Sequence, residues 1–193
     1  MPIAAYFWLI HHYGVNTIWL DQWYNIDLIG HPLRFGALWA QHSEHRVFLP
    51  NLIVLLLAHT THFNVLFEEY LSAAILCGAV GLIILADKRW YPSTPWIAYF
   101  PVPFVLLSFV QAGSTLFGFQ LSLYPAILAL AAALFLLDGP TLTKLALTGA
   151  IAAAVMGSLS AFEGLFIWPV GLLVLYRRGL PGVLSSPGSP PAH

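Results

Sequence analysis

Six ionisable side chains stand beside or inside apolar sequence: Asp21, Glu44, Arg46, Glu68, Glu69 and Glu163. A charge at membrane depth is costly, so each is by default a functional candidate. Asp21, in Leu20-Asp21-Gln22-Trp23, has two readings. It is a carboxylate able to take the proton of an attacking hydroxyl, or an interfacial acid that ends the first helix. The densest polar knot lies in residues 39–50, WAQHSEHRVFLP. There Arg46, with His45 beside it and Glu44 to orient both, has the donor geometry to clamp a phosphate, since guanidinium matches phosphate oxygens bidentately. The plainer alternative is an arginine that extends from apolar surface to water. His42, Glu44 and His45 also raise the question of a metal. Two histidines three apart, with no cysteine or second acid nearby, make a weak ligand set; no cofactor is expected, and a divalent metal has no support in the sequence. His11 and His12 are adjacent, so their rings diverge on a helix. His59 and His62 read as caps at a helix end.

Two further polar clusters punctuate the apolar chain. Gln111, Ser114 and Gln120 lie in QAGSTLFGFQ, and Ser158, Ser160 and Glu163 lie in SLSAFEG, each interleaved with phenylalanines. Amides and a carboxylate beside aromatic faces suit a sugar ring or an isoprenoid, and they equally suit helix packing. Gln120 and Glu163 are carried forward as substrate-binding candidates together with His42, Glu44, His45 and Arg46.

The surrounding composition says what must position these groups. Of 193 residues 59% are hydrophobic and only 8% charged, against roughly 25% charged in an ordinary soluble domain. Mean hydropathy is +0.80. No Asp, Glu, Lys or Arg occurs between Arg89 and Asp138, room for two spans of about 20 residues each. These features predict an all-α integral membrane protein. A net charge of -1 argues against a nucleic-acid partner. The single Cys77 excludes an internal disulfide, and its apolar surroundings make it a small packing residue. There is no P-loop, dinucleotide fingerprint, GxSxG or HExxH.

The pattern predicts about six transmembrane or re-entrant helices within a single unit, residues 1–178, followed by a Gly/Pro/Ser tail over 179–193 with the composition of a disordered segment. A first helix over 3–12 leads into a polar loop, about 13–46, carrying an interfacial aromatic belt of Trp19, Trp23 and Tyr24. Within it a juxtamembrane helix is expected from residue 35 to 46, with Trp39, His42 and Arg46 on one face, running into 47–58. Later helices are expected over 66–86, 96–110 with kinks at Pro101 and Pro103, 116–137, 145–159 and 164–176. Gly149, Ala153 and Gly157 form a small-residue stripe for close helix contact. Lys88-Arg89, Lys144 and Arg177-Arg178 mark cytoplasmic ends by the positive-inside rule. The polar segments then share one outer face only if 47–58 turns back without crossing.

The order D-x-W, LWAQHSEHRVFLPNLI, FNVLFEEYLS, FGFQ and SLSAFEGLFIWPVGLL resembles a group of bacterial polytopic membrane proteins similar in turn to C-type glycosyltransferases, which use lipid-phosphate sugars. The resemblance spans residues 3–178. It implies that Asp21 acts on the acceptor and that Glu44-His45-Arg46 with Pro50 meets the donor phosphate. Gln120 and Glu163 match polar positions to which the resemblance attaches no role. It further implies a lipid-linked sugar donor and membrane lipids as partners, a multi-pass place in a bacterial inner membrane, and sugar transfer at its outer face. Two departures stand out: Gln22 follows Asp21 where many such enzymes carry a second acid, and the enzymes have more helices, which makes this chain resemble an amino-terminal portion. The alternatives are a non-catalytic lipid-binding or transporter-like protein, and an inactive fragment or assembly subunit.

Overall fold

The computed structural model describes residues 2–32, 34–42, 45–108, 110 and 112–179; the tail from 180 and Glu44 lie outside these, as does the side chain of His45. The described residues are all-helical apart from one minimal antiparallel pairing. In chain order they form α1 (Pro2–Tyr13), α2 (Trp23–Gly30), α3 (Phe35–Leu38), β1 (Gln41–His42), β2 (His45–Arg46), α4 (Phe48–Thr61), α5 (Leu66–Trp90), α6 (Pro101–Leu106), α7 (Ala112–Thr115), α8 (Tyr124–Leu137), α9 (Lys144–Ser158) and α10 (Ile167–Arg177). Short 3-10 turns at Leu20–Gln22, Trp96–Tyr99, Gly118–Leu121 and Phe162–Phe166 join them.

The longest helix, α5, carries Glu68 and Glu69 in its first turn and Lys88 and Arg89 in its last. Both pairs complement the helix dipole, acid at the amino end and base at the carboxy end. Pro125 lies in the first turn of α8, where its missing N–H costs no hydrogen bond, so the helix starts beside Tyr124 and does not run through it from 116. Thr143 caps α9 by accepting from the Ala146 amide at 3.1 Å, which satisfies an otherwise orphan donor. The proline-rich stretch before Leu106 is broken into a 3-10 turn and the six-residue α6, because Pro101 and Pro103 offer no backbone donor.

Helix α8 is the shared element of two apolar clusters. At its start Tyr124 packs with Tyr6, Ile10, Ala73, Leu76 and Leu107; further on Ala129, Ala133 and Leu137 pack with Ala150, Ala154 and Ile167. The expected small-residue stripe is used in α9. A Cβ at Gly149 would lie 3.0 Å from Leu136, and one at Gly157 would lie 3.2 Å from Ala129 Cβ.

Two stretches are long and apolar enough to cross a membrane, Leu66–Trp90 and Gly118–Leu137, and only 33% and 39% of their most apolar windows are buried. Their remaining apolar surface faces outward, as do Val105, Ile151, Leu172 and Leu173 on the shorter helices.

Hydrogen bonds at the helix ends orient the bundle. Helices α5 and α8 run parallel: Glu68 meets the Gly118 turn just before α8, and Arg89 donates to the Phe135 carbonyl near the end of α8 at 2.8 Å. Helix α9 returns, and α10 runs back until Arg178 reaches the carbonyls of Leu137 and Gly139. The bundle therefore has a basic end, with Arg89, Asp138 and Arg178, and a polar end, with Gln22, Glu68 and the Gly118 turn. Both ends of α4 belong to the polar end. The Leu49 amide donates to Leu159 O at 2.9 Å, and just past α4 the Val65 amide donates to Asn16 Oδ1 at 2.9 Å. Helix α4 thus lies across the polar end and turns back through His62 and Phe63, both left-handed at φ 55° and 57°.

The juxtamembrane helix expected over 35–46 is corrected. Only Phe35–Leu38 is helical. Beyond it Gln41 pairs with Arg46 and His42 with His45 across a ribbon, so the backbone polar groups are met between strands and not along a helix. Trp39, His42 and Arg46 consequently do not share a helical face.

Candidate functional site at the polar end

The 3-10 turn Leu20–Gln22 sends its two polar side chains in opposite directions. Asp21 is exposed, whereas Gln22 is 2% exposed. Leu20 ahead of them has φ 48°, a conformation that costs a leucine about 1–2 kcal/mol. Two bonds hold it there. The Trp19 amide donates to Gln22 Oε1 at 3.1 Å, and Gln22 Nε2 donates to Glu68 Oε2 at 3.0 Å.

Glu68 and the adjacent Glu69 are both buried at the start of α5. Gly118 closes over the bond between Glu68 and Gln22. A Cβ at 118 would stand 2.4 Å from Gln22 Nε2 and 2.7 Å from Glu68 Oε2, so glycine is what lets the FGFQ segment cross at that height. A second glycine, Gly14, lies close to the other acid, its Cβ position standing 3.0 Å from Glu69 Oε2. Among the described residues Glu69 Oε2, Ser72 Oγ and the Tyr6 and Tyr124 hydroxyls are buried without a hydrogen bond, although the two tyrosine hydroxyls lie near enough to influence one another.

The FGFQ segment then distributes side chains around this centre. Phe119 stacks with Phe117 at 5.8 Å and tilts against the His42 ring at 5.1 Å, while His42 also meets Tyr24 at 4.7 Å. Gln120 stands between two cavities. With Phe119, Ser122 and Glu163 it lines a polar one of about 160 Å³. With Leu76, Val80, Ser114 and Ile127 it lines an apolar one of about 230 Å³ between α5 and α8. No family model, curated protein or solved structure matches the chain.

Several candidates from the sequence therefore come together here: His42 against Phe119, and Gln120 with Glu163 around one cavity. Others do not. Arg46 donates from Nη1 to Trp39 O at 2.9 Å, and its guanidinium lies 5.9 Å from the Trp39 ring centre, so it ties the ribbon to α3. Neither Asp21 nor Arg46 lines either cavity at Gln120. Glu44, Gln111 and the side chain of His45 fall outside the described residues. Ser158 and Ser160 return their hydroxyls to the carbonyls of Ala154 and Met156, which leaves them a packing role. His59 accepts a comparable local role with Leu55 O at 3.0 Å, and His62 is the left-handed cap of α4. Among the described residues no group of three or more His, Cys, Asp or Glu is placed to hold a metal ion.

The residue that sequence reading passed over is Gln22. A signal was present: an amide next to an acid in a chain this poor in polar groups must find a partner if buried, and Glu68-Glu69 was the available pair of acceptors. What joined them was a contact across 46 positions of sequence.

Proposed function

We propose that the chain is a multi-pass membrane protein of the C-type glycosyltransferase kind, moving a sugar from a polyprenyl-phosphate donor to an acceptor at the outer face of a bacterial inner membrane. The observation that carries this reading is the pair of cavities meeting at Gln120. A lipid-linked sugar needs a polar compartment and an apolar one side by side, and the Glu163 and Leu76 sides of Gln120 have those characters. The outward apolar surfaces of α5 and α8 support a membrane setting, as does the gathering of polar segments at the end opposite Lys88-Arg89 and Arg177-Arg178.

In this reading Phe119 offers a face for the sugar ring and Gln120, Ser122 and Glu163 offer hydrogen bonds. The exposed Asp21 takes the acceptor hydroxyl proton as the new glycosidic bond forms and the bond to the lipid phosphate breaks. Arg46 and His45, the basic residues of the segment that also holds Glu44 and His42, meet the departing phosphate in this proposal. Transfer from a lipid-linked sugar donor, measured with the purified and reconstituted protein, should be lost in Asp21→Asn while insertion and folding persist. Full activity in that variant would sink the proposal.

A second reading has its own observation. Arg46 is already bound to the Trp39 carbonyl and, like Asp21, lines neither cavity at Gln120, which favours a protein that binds a lipid or carries it without chemistry. Transport of a labelled lipid with no glycosidic product, unaffected by Asp21→Asn, would select it.

A further inference from the structure

The basic end holds a different kind of opening, a cleft of about 440 Å³, within the size range of ligand sites. Ile83, Leu134 and Val174 wall it with apolar surface from α5, α8 and α10, and Asp138, Arg177 and Arg178 stand at its rim. These rim charges are unequally committed. Arg178 donates to the carbonyls of Leu137, Gly139 and Pro140. Asp138 accepts from Trp90 Nε1 at 2.6 Å. Arg177 is exposed and has no hydrogen-bond or ion-pair partner among the described residues. The rim thus presents two cations against one acid, with one guanidinium free.

We propose that this cleft seats an anionic phospholipid, its acyl chain along the apolar walls and its phosphate on Arg177. The inference rests on the membrane reading above. A free inorganic anion would account for the guanidinium but has no use for the apolar walls, whereas a phospholipid uses both. Basic pockets between membrane helices on the cytoplasmic side recognise anionic head groups through this combination, and a guanidinium matches phosphate oxygens in pairs.

The test begins with alkaline extraction of membranes containing the full chain. Release into the soluble fraction would overturn the membrane reading itself. If the protein stays with the membrane, the purified protein in detergent is titrated with phosphatidylglycerol, phosphatidylcholine or inorganic phosphate while its thermal midpoint is followed. Phosphatidylglycerol should raise the midpoint saturably and the other two should not. Arg177→Gln should weaken the apparent affinity about tenfold, the loss of one charge-assisted contact. Lys144→Gln removes an exposed cation at the start of α9 that does not line the cleft, and it should leave the response intact. Leu134→Trp fills the slot without changing charge and should abolish the response, which keeps the test decisive if Arg177→Gln folds poorly. Equal responses to phosphatidylcholine, a full response to phosphate alone, or unchanged binding in Arg177→Gln would each overturn the lipid seat while leaving the membrane reading standing.

Discussion

The two ends of the helical bundle hold their charges by different means. At the basic end Arg89 and Arg178 give their donors to main-chain carbonyls in and just after the last turn of α8. Any helix leaves such carbonyls free at its carboxy terminus and concentrates negative potential there, so the arginines need no particular partner side chain. At the polar end Glu68 needs a donor from elsewhere in the chain, receives it from Gln22, and lies under a glycine that admits no Cβ. One end rests on a property common to helices. The other rests on a few specific residues and should be far less tolerant of change.

The comparison breaks most visibly at glycine. Gly164 faces the Gly157 main chain, with a Cβ position 2.0 Å from the carbonyl oxygen and 2.1 Å from its carbon. Backbone cannot yield cheaply, so Gly164→Ala should cost about 3 kcal/mol or more in detergent unfolding titrations. At the basic end Gly139 has its nearest neighbour, Arg89 Nη1, at 3.2 Å, the far end of a flexible side chain. Gly139→Ala should therefore stay within about 0.5 kcal/mol. Equal costs at the two sites would remove the distinction.

Next in size is the buried amide. Gln22→Leu leaves Glu68 without its donor and should destabilise by about 1–3 kcal/mol. The double variant Gln22→Leu with Glu68→Leu should cost less than the sum of the two single changes, because it leaves neither partner stranded. Strict additivity in that cycle would show that the two side chains are independent. Arg178→Gln probes the opposite end. It removes contacts to carbonyls that water can replace at the surface, and a loss of about 1 kcal/mol is expected. A loss as large as that of Gln22→Leu would mean that the basic end is as specific as the polar one.

The smallest effect on stability belongs to the residue most important to the proposed chemistry. Asp21 is exposed, so Asp21→Asn should change unfolding by no more than about 0.5 kcal/mol while abolishing sugar transfer. A large stability loss would assign Asp21 to the fold, as Gln22 already is.

The long helices were legible in the sequence, since uninterrupted apolar runs bounded by Asp87-Lys88-Arg89 and Arg177-Arg178 leave few other solutions, and the glycine and alanine spacing of α9 announced close packing. The ribbon at residues 41–46 was not legible. Trp39, His42 and Arg46 fit a helical period, but periodicity does not register that the Trp39 carbonyl and the Gln41 backbone are claimed by Arg46. Part of the site was legible too: Gln120 and Glu163 stood out as polar groups in apolar sequence and do line one cavity. Asp21 and Gln22 are neighbours of equal polarity in the chain, and only the turn at Leu20 sends one to solvent and the other to Glu68.

By itself the sequence determined the helical class, the apolar exterior and the separation of basic from other polar segments, because these follow from composition and from the period of local structure. The tertiary structure decided which polar groups meet. That choice depends on residues tens of positions apart, such as Gln22 bonded to Glu68 and Gln120 lining one cavity with Glu163, and on glycines at 118 and 164 whose necessity becomes visible only once another strand of chain lies against them.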